Sequence, residues 1–374
     1  MRPGFPYDCA VRWACAVQTG IVPGTLSAPT RPLPNIVDVA RRARVSTATV
    51  SRVVNAPEAV RPALRERVEA VIAQLGYVPH AGARTLKSRR TGTIGAIFPT
   101  IDNAIFAQAI NVLQRHLVDA GYQLLIATCD YDPAVEESQA LNLLTRGADA
   151  LVLCGCGQRA TMLSRLATRG IPVVHVMSWP LPGGMAGVGF DNARAIGQAV
   201  RYLADLGHRR IAMLAGVTRD NDRASARVRG FRDAMASAGL PLPSQRLIER
   251  PYGLQQARDG LRELLAAPQP PTALICGNDV LAFGALFEAQ HLGVQVPVDL
   301  SIVGFDDLEL ASHVKPALTT VHVPAETMWR RAAQLAVALL SGEATVRAHE
   351  VEVSLIVRGS SAPPARKRRQ GNAE

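Results

Sequence analysis

Seven residues at positions 46–55 have the chemistry of a base-reading surface: Ser46, Thr47, Ala48, Thr49, Ser51, Arg52 and Asn55. All are small or hydrogen-bonding, and they include one arginine. On a helix, Val50, Val53 and Val54 turn inward and leave Thr47, Ala48, Ser51 and Arg52 outside. Such a face can lie against base-pair edges in a major groove. A second set falls at or just beyond the ends of apolar, strand-like runs: Asp102, Phe106, Asp191 with Asn192 beside it, Arg223, Arg227, Asn278 and Asp306. Carboxylates and amides on such loops suit a hydroxyl-rich ligand, and an aromatic, Phe106 or Tyr252, can stack on a sugar face. Asp279 reads as a helix N-cap, and the same bland role competes for any single Asp or Asn in the set.

Arg223 and Arg227 stand four residues apart at the start of one helix, hence on one face. A helix start already carries positive charge, so two arginines there point to an anionic ligand, a sugar acid or sugar phosphate. The alternative is that Arg223 pairs with Asp220 or Asp222.

Catalytic chemistry has little support. The chain has no G-x-x-x-x-G-K-[ST], G-x-S-x-G or H-E-x-x-H pattern, and His175, His208 and His313 are scattered. Cys9, Cys15, Cys129, Cys154, Cys156 and Cys276 have no zinc spacing with histidines and read as reduced thiols of a cytoplasmic, nucleoid-associated protein. Neither a metal nor a cofactor is called for, and a binding protein is preferred over an enzyme.

The elements that must position these groups differ along the chain. With 374 residues, 48% of them hydrophobic, two or three domains are expected. No apolar run is long enough to span a membrane. The net charge of +10 is uneven: residues 35–90 hold eleven Lys and Arg against four Asp and Glu, the footprint of a polyanion binder. In NIVDVARRARVSTATVSRVVN (35–55), Ile36, Val39, Ala40 and Ala43 make one helical face, with Asn35 as cap. Arg44 and Val45 turn the chain, and Ser46 caps a second helix. A third helix is expected over 62–75, with Leu64, Val68, Val71 and Leu75 inward and Gly76 as its stop. The basic stretch YVPHAGARTLKSRR (77–90) reads as a linker that something else must order. Residues 1–34, with six prolines, read as a disordered extension or the product of a misplaced start codon, the apolar stretch being too short for a secretory signal.

From Thr93 strands alternate with helices. TIGAIFP, QLLIATC, ALVLCG, IPVVHVM, VGFD, RIAMLAG, TALICGND and LSIVGFDD are the strands, with helices over 105–120, 133–146, 193–206, 224–238, 254–266 and 281–292. This grammar implies parallel sheets covered on both faces, too many strands for one core, hence two α/β lobes with a ligand at the strand ends.

VSTATVSRVVN followed by LRERVEAVIAQLGYVPHAGARTL resembles the head and hinge of the lactose-repressor and purine-repressor family, including its gluconate-repressor-like branch, and the likeness runs from Asn35 to about Gly359. The resemblance implies a helix-turn-helix head (35–79), a hinge (80–91) and a periplasmic-binding-protein-like core of two doubly wound parallel-sheet lobes (92–359); Pro363-Pro364 and the run 366–369 then read as a disordered basic tail (360–374). The resemblance also implies that the second helix reads the major groove and that Leu86 wedges into the minor groove from a hinge helix, with Ala83 among the DNA-binding residues. His80 and Gly82 depart from the family's hinge pattern. Residues matching Phe106, Asn221, Arg223, Arg227, Tyr252, Asn278 and Asp306 line the family's effector pocket. The tail lacks a leucine-heptad helix, so a homodimer is expected.

The resulting expectation is a transcriptional repressor that binds double-stranded operator DNA under control of a carbohydrate-like effector. A transporter's solute-binding protein would share the core but have no use for residues 35–90. A sugar-processing enzyme fused to a DNA-binding head would need an acid/base pair or a nucleotide site. If Leu86 is an apolar wedge, Leu86→Ala should weaken operator binding and reduce DNA bending in circular-permutation gel shifts while leaving effector binding intact. Equal bending by variant and parent would sink the wedge assignment.

Overall fold

The computed structural model describes residues 33–78 and 90–365. Ala83, Leu86 and the rest of the 80–87 hinge segment lie outside the described residues, as do Cys9, Cys15 and the basic run 366–369. The tail expected to be disordered from 360 is instead packed at its start: Ser360 is buried and exchanges hydrogen bonds with Ile302. The chain divides into two compact units, 1–84 and 85–374.

In the first unit, α1 (Ile36–Ala43) begins with a capping box: the Asn35 side chain accepts from Val37 and Asp38, and the Asp38 carboxylate accepts from the Asn35 N–H. Arg44, at φ 53°, ends it in the left-handed conformation. Ser46 then caps α2 (Thr47–Asn55) through the Thr49 N–H. A proline at its first turn opens α3 (Pro62–Leu75), and Gly76 closes it at φ 62°. Val39, Ala40, Ala43, Val50, Val53, Val68 and Tyr77 form the core, with Leu64, Val71 and Leu75 packed at its edge. Val54, expected inside, is half-buried.

The second unit contains two six-stranded sheets. Its elements are β1 (Thr93–Phe98), α4 (Ala104–Asp119), β2 (Gln123–Thr128), α5 (Pro133–Thr145), β3 (Ala150–Cys154), α6 (Ala160–Thr168), β4 (Val173–Val176) and β5 (Gly187–Gly189). Then follow α7 (Asn192–Asp205), β6 (Ile211–Gly216), α8 (Asp222–Ser237), β7 (Leu247–Arg250), α9 (Leu254–Leu265), β8 (Ala273–Cys276), α10 (Asp279–His291) and β9 (Ser301–Asp306). Last come β10 (Thr319–His322), α11 (Ala325–Ser341), β11 (Ala348–Glu350) and β12 (Ser354–Ile356).

The sheets run β11-β5-β4-β3-β1-β2 and β12-β10-β9-β8-β6-β7. Every pairing is parallel except β10 with β12. β3, β6, β8 and β9 are buried along their whole length, as continuous apolar runs between two helical layers require. Residues 91–190 build the first lobe and residues 192–322 the second.

The alternation read from the sequence stops at residue 307 and omits α6, β7 and everything from β10 onward. Those last elements join the lobes. α11 packs on α4 and the first sheet, β11 extends that sheet, and β12 returns to the second. The chain therefore crosses between lobes three times, after β5, β10 and β11. The signal for α11 was present: Met328, Trp329, Ala332, Ala333, Ala336 and Leu340 are buried at helical spacing. Among the described residues no helix is long and apolar enough to cross a membrane.

Trp329 is fully buried, its ring 5.6 Å from that of Phe98, and its indole N–H has no partner among the described residues. Trp329→Ala should cost about 3–5 kcal/mol by opening a cavity. Trp329→Phe should cost under about 1.5 kcal/mol, because it keeps the ring contact and removes an unmet donor. Urea midpoints at unchanged slope measure both; equal losses would show that the indole N–H is satisfied.

Candidate functional site

On the head, Ser46, Thr47, Ala48, Arg52 and Asn55 are exposed, and Thr49 and Ser51 half-buried. Four of the seven are partly used internally. Ser46 Oγ meets the Thr49 N–H at 3.1 Å and Thr49 Oγ1 at 2.9 Å, and Asn55 Nδ2 donates to the Ser51 carbonyl at 2.8 Å. Thr47, Ala48 and Arg52 remain open. Arg41 meets Asp38 and Arg65 meets Glu69, whereas Arg44, Arg52, Arg61 and Arg67 have no acidic partner among the described residues. Unneutralised guanidinium groups beside a short, capped helix are what phosphate and base-edge contacts need.

In the core, the carboxyl ends of the two sheets border a cleft of about 1060 Å³. Asp102, Asn221 and Tyr252 line it, with Tyr131, Asp220 and Arg159. Phe106, Arg223, Arg227, Asn278 and Asp306 close its floor. Eight of the nine expected ligand residues are thus brought together. Asp191 is not: its carboxylate accepts from the Ala193 and Arg194 N–H groups and caps α7. Asn278, not Asp279, caps α10. Asp279 is buried and bonded by Thr320 Oγ1 at 2.6 Å and the Leu308 N–H at 2.8 Å.

Tyr131 was missed, although it follows a strand end just as Phe106 does. Its ring, from the first lobe, lies 6.2 Å from that of Tyr252 in the second. Tyr131 and Asp130 both have positive φ, 61° and 48°, a backbone state held here at the cleft wall. Gly216 makes room for Tyr252, since a Cβ there would stand 2.1 Å from the ring.

Asp222 was named only as a possible partner of Arg223 and is more than that. From the second lobe, its Oδ2 accepts from Ser178 Oγ at 2.7 Å and the Cys156 N–H at 2.9 Å, both in the first lobe, with the Cys156 thiol at 3.4 Å. Its Oδ1 takes Arg223 Nη1 at 3.0 Å. Burial pushes the Asp222 carboxyl up, but Arg223 and these donors outweigh it and hold it below its ordinary range. Gly155 sits at φ 81°, and a Cβ there would lie 2.2 Å from Arg223 Nη1.

Arg227 is likewise tied to its neighbours. It donates to Asn192 Oδ1 at 2.9 Å and the Gly277 carbonyl at 2.5 Å, and stacks 3.9 Å over Phe305. Asn192 in turn donates to the first lobe's Met177 carbonyl at 2.9 Å. Asp306, 7% exposed, has no partner for Oδ1 among the described residues. Burial pushes its carboxyl up to about 8, against the pull of Arg227 and with a further push from Asp279. Burial likewise raises Asp279 to about 7. The four described cysteines are free; Cys129, Cys154 and Cys276 are buried and Cys156 half-buried. Burial pushes the Cys156 thiol up to about 11, which makes it a poor nucleophile.

Comparison with known proteins matches residues 35–80 to "Bacterial regulatory proteins, lacI family" and residues 200–361 to "Periplasmic binding protein-like domain". The chain is 33% identical over 289 residues to Catabolite control protein A of Priestia megaterium, covering 77% of this chain and 87% of that protein. It is 35% identical over 297 residues to the Ribose operon repressor of Escherichia coli strain K12, covering 78% and 88%. A solved complex of the transcriptional regulator CelR with cellobiose superposes with a TM-score of 0.65 at 30% identity, over 88% of this chain and 100% of that one.

The raised carboxyls set a pH dependence. A group bound more tightly to its proton in the folded state stabilises the fold below its unfolded value, near 4, and that contribution is lost as pH rises through the folded value. For Asp306 the loss runs up to about pH 8. Asp306→Asn removes the titration and should flatten the decline in stability between roughly pH 5 and 8.5. Urea midpoints across that range check this; superimposable parent and variant profiles would contradict the Asp306 assignment.

Proposed function

The chain belongs to the lacI family of bacterial regulatory proteins and is a DNA-binding regulator of transcription, and on that premise we propose that it is a homodimeric repressor whose operator affinity is set by a neutral, carbohydrate-like effector in the interlobe cleft. The observation that carries the effector class is the pairing of the two arginines that suggested an anion. Arg223 is bound to Asp222, and Arg227 is engaged with Asn192, Gly277 and Phe305 beside Asp306. The wider cleft presents Asp102, Asp130, Asp132 and Asp220 against Arg159 and Arg219. An anion would meet more like charge than opposite charge. A polyol instead donates hydroxyls to the free Asp306 oxygen and stacks on Tyr131 or Tyr252. The relatives that carry a ligand in their names, cellobiose for one and ribose for another, support a carbohydrate.

On the DNA side, Ser46, Thr47, Ala48, Thr49, Ser51, Arg52 and Asn55 form the reading surface, with Ala83 and Leu86 as hinge contacts. Two copies read a near-palindromic site, inside the cell where the DNA is. A solute-binding protein for transport would leave the head without a role.

Footprinting of the upstream region should show two symmetric half-sites, and Arg52→Ala should weaken binding to that site by roughly ten- to a hundredfold. A single half-site bound by a monomer would defeat the reading. In a thermal-shift panel on the full chain, neutral sugars should stabilise more than gluconate-like acids or sugar phosphates. The reverse order, abolished by Arg223→Ala, would restore the anion.

A further inference from the structure

Beyond β12 the chain is pinned at the amino ends of β6 and β9 and around the end of α7. Ser361 Oγ meets the Tyr202 hydroxyl, on one flank of α7, at 2.9 Å. The Ala362 carbonyl accepts from Ser301 Oγ at 3.0 Å and from His208 Nε2 at 2.9 Å. Pro364 then passes the stop of α7: a Cβ on Gly207, which sits at φ 97°, would lie 3.8 Å from Pro364 Cδ. The described residues end one position later, and the sequence continues as RKRRQGNAE (366–374).

Beside that exit, α7 and α8 border an open groove of about 480 Å³. The two helices run parallel and nearly touch, since a Cβ on Gly230 would lie 2.3 Å from the Ala193 carbonyl and one on Gly197 3.7 Å from the Ala234 Cβ. Gly197, Ala204 and Gly230 keep the floor low enough for a backbone to lie on it. Asp205 and Asp233 stand on the walls, exposed and without an ion-pair partner among the described residues. At about 100° per residue, Asp205 lies about 60° around α7 from Tyr202, toward the groove. Both helices end on the side where the tail exits, so their negative dipole ends add to these charges. Of the two arginines at the groove, Arg194 is bonded to Glu350 and Arg201 is folded back over Gly197.

The occupant that fits is an extended cationic segment. A phosphate or nucleic acid would meet two unbalanced carboxylates and two helix C-termini. The tail supplies four consecutive cations starting two residues after Pro364. Nine extended residues reach about 30 Å, against about 18 Å of α7 from Asp205 back to Ala193. So short a tether keeps the cations at high effective concentration beside the groove. Glu374, farther along, has the sign that suits Arg201.

We propose that this groove is the docking site of the chain's own basic run: residues 366–369 turn past Asp205 and lie between α7 and α8, paired with Asp205 and Asp233. Docked there, the run is withheld from DNA phosphates.

The test uses the full chain without DNA, with operator binding as the check that each variant is folded. Lys367 is the tail's one lysine, so a zero-length carbodiimide should join it to Asp205 or Asp233, read by peptide mass spectrometry. In a mixture of ¹⁵N-labelled and unlabelled protein the link should stay within one chain. Replacing Arg366, Arg368 and Arg369 with Ser keeps both reacting groups and should lower the yield, as should added salt. Amides at the end of α7 should exchange about fivefold more slowly in the full chain than in one cut after Ala365, the effect of two exposed ion pairs. Asp205→Asn with Asp233→Asn should erase that difference. Equal exchange in full and cut chains, or Lys367 joined elsewhere, to another copy or to nothing, overturns the proposal. A Ser-substituted tail that flattens the salt dependence of nonspecific DNA binding, with no groove link in the parent, assigns the run to DNA instead.

Discussion

The geometry of the core depends on one carboxylate. Asp222 stands at the first turn of α8 in the second lobe, yet its Oδ2 is bonded by Ser178 and Cys156 from the first lobe and its Oδ1 by the neighbouring Arg223. A carboxylate buried this far would normally take up a proton. Here Arg223 and three donors more than offset the lost hydration, so the charge persists and the contact stays strong. The helix start favours the same charge. Gly155 completes the arrangement, because any side chain there would collide with the Asp222–Arg223 pair. The lobes are thus tied by polar contacts at the very place where a ligand enters, and a ligand touching Arg223 touches the tie.

The second consequence concerns charge in the cleft. Two arginines on one helix face look like an anion site as long as their neighbours are unknown. The charge of Arg223 is balanced by Asp222, which takes one of its N–H donors. Arg227 is spent on orienting Asn192, which reaches the first lobe's Met177 carbonyl, and on the face of Phe305. What lines the cleft is then the opposite kind of group, the rim carboxylates, with Asp306 below them as a buried carboxyl raised to about 8. Acceptors that lack donors are matched by hydroxyls. The raised carboxyl shows the same cost from the other side, since desolvation falls on the charged form until a donor arrives.

The head solves a different problem, how to hold three short helices on a core of seven buried residues. Its stability is concentrated in the ends of the helices: the Asn35–Asp38 capping box, the left-handed Arg44, the Ser46 cap and Gly76. Because these local devices fix the backbone, the outward face of α2 need not contribute to packing. It can carry Arg52, which has no acidic partner among the described residues, and small residues that admit close approach.

Local chemistry was legible in the chain itself. Helix caps, the turn at Arg44, the apolar strands and the strand-end residues from Asp102 to Asp306 all follow from the order of a few neighbours, because capping, periodicity and φ preferences act over four residues or fewer. The two-lobe fold followed from the same alternation. The crossings that close the lobes did not, because β10, α11, β11 and β12 return to sheets begun more than a hundred residues earlier. Nor did the fates of individual side chains. Asp191 and Asp222 both stand at helix starts after strands; the first is only a cap, and the second joins the lobes. Tyr131 is inconspicuous in sequence and borders the cleft only because β1, β2 and β3 lie side by side. A residue's type and spacing set what it can do. Which partner it meets, and hence whether an arginine recognises a ligand or neutralises a neighbour, is decided when segments far apart in the chain are packed into contact and water is removed between them.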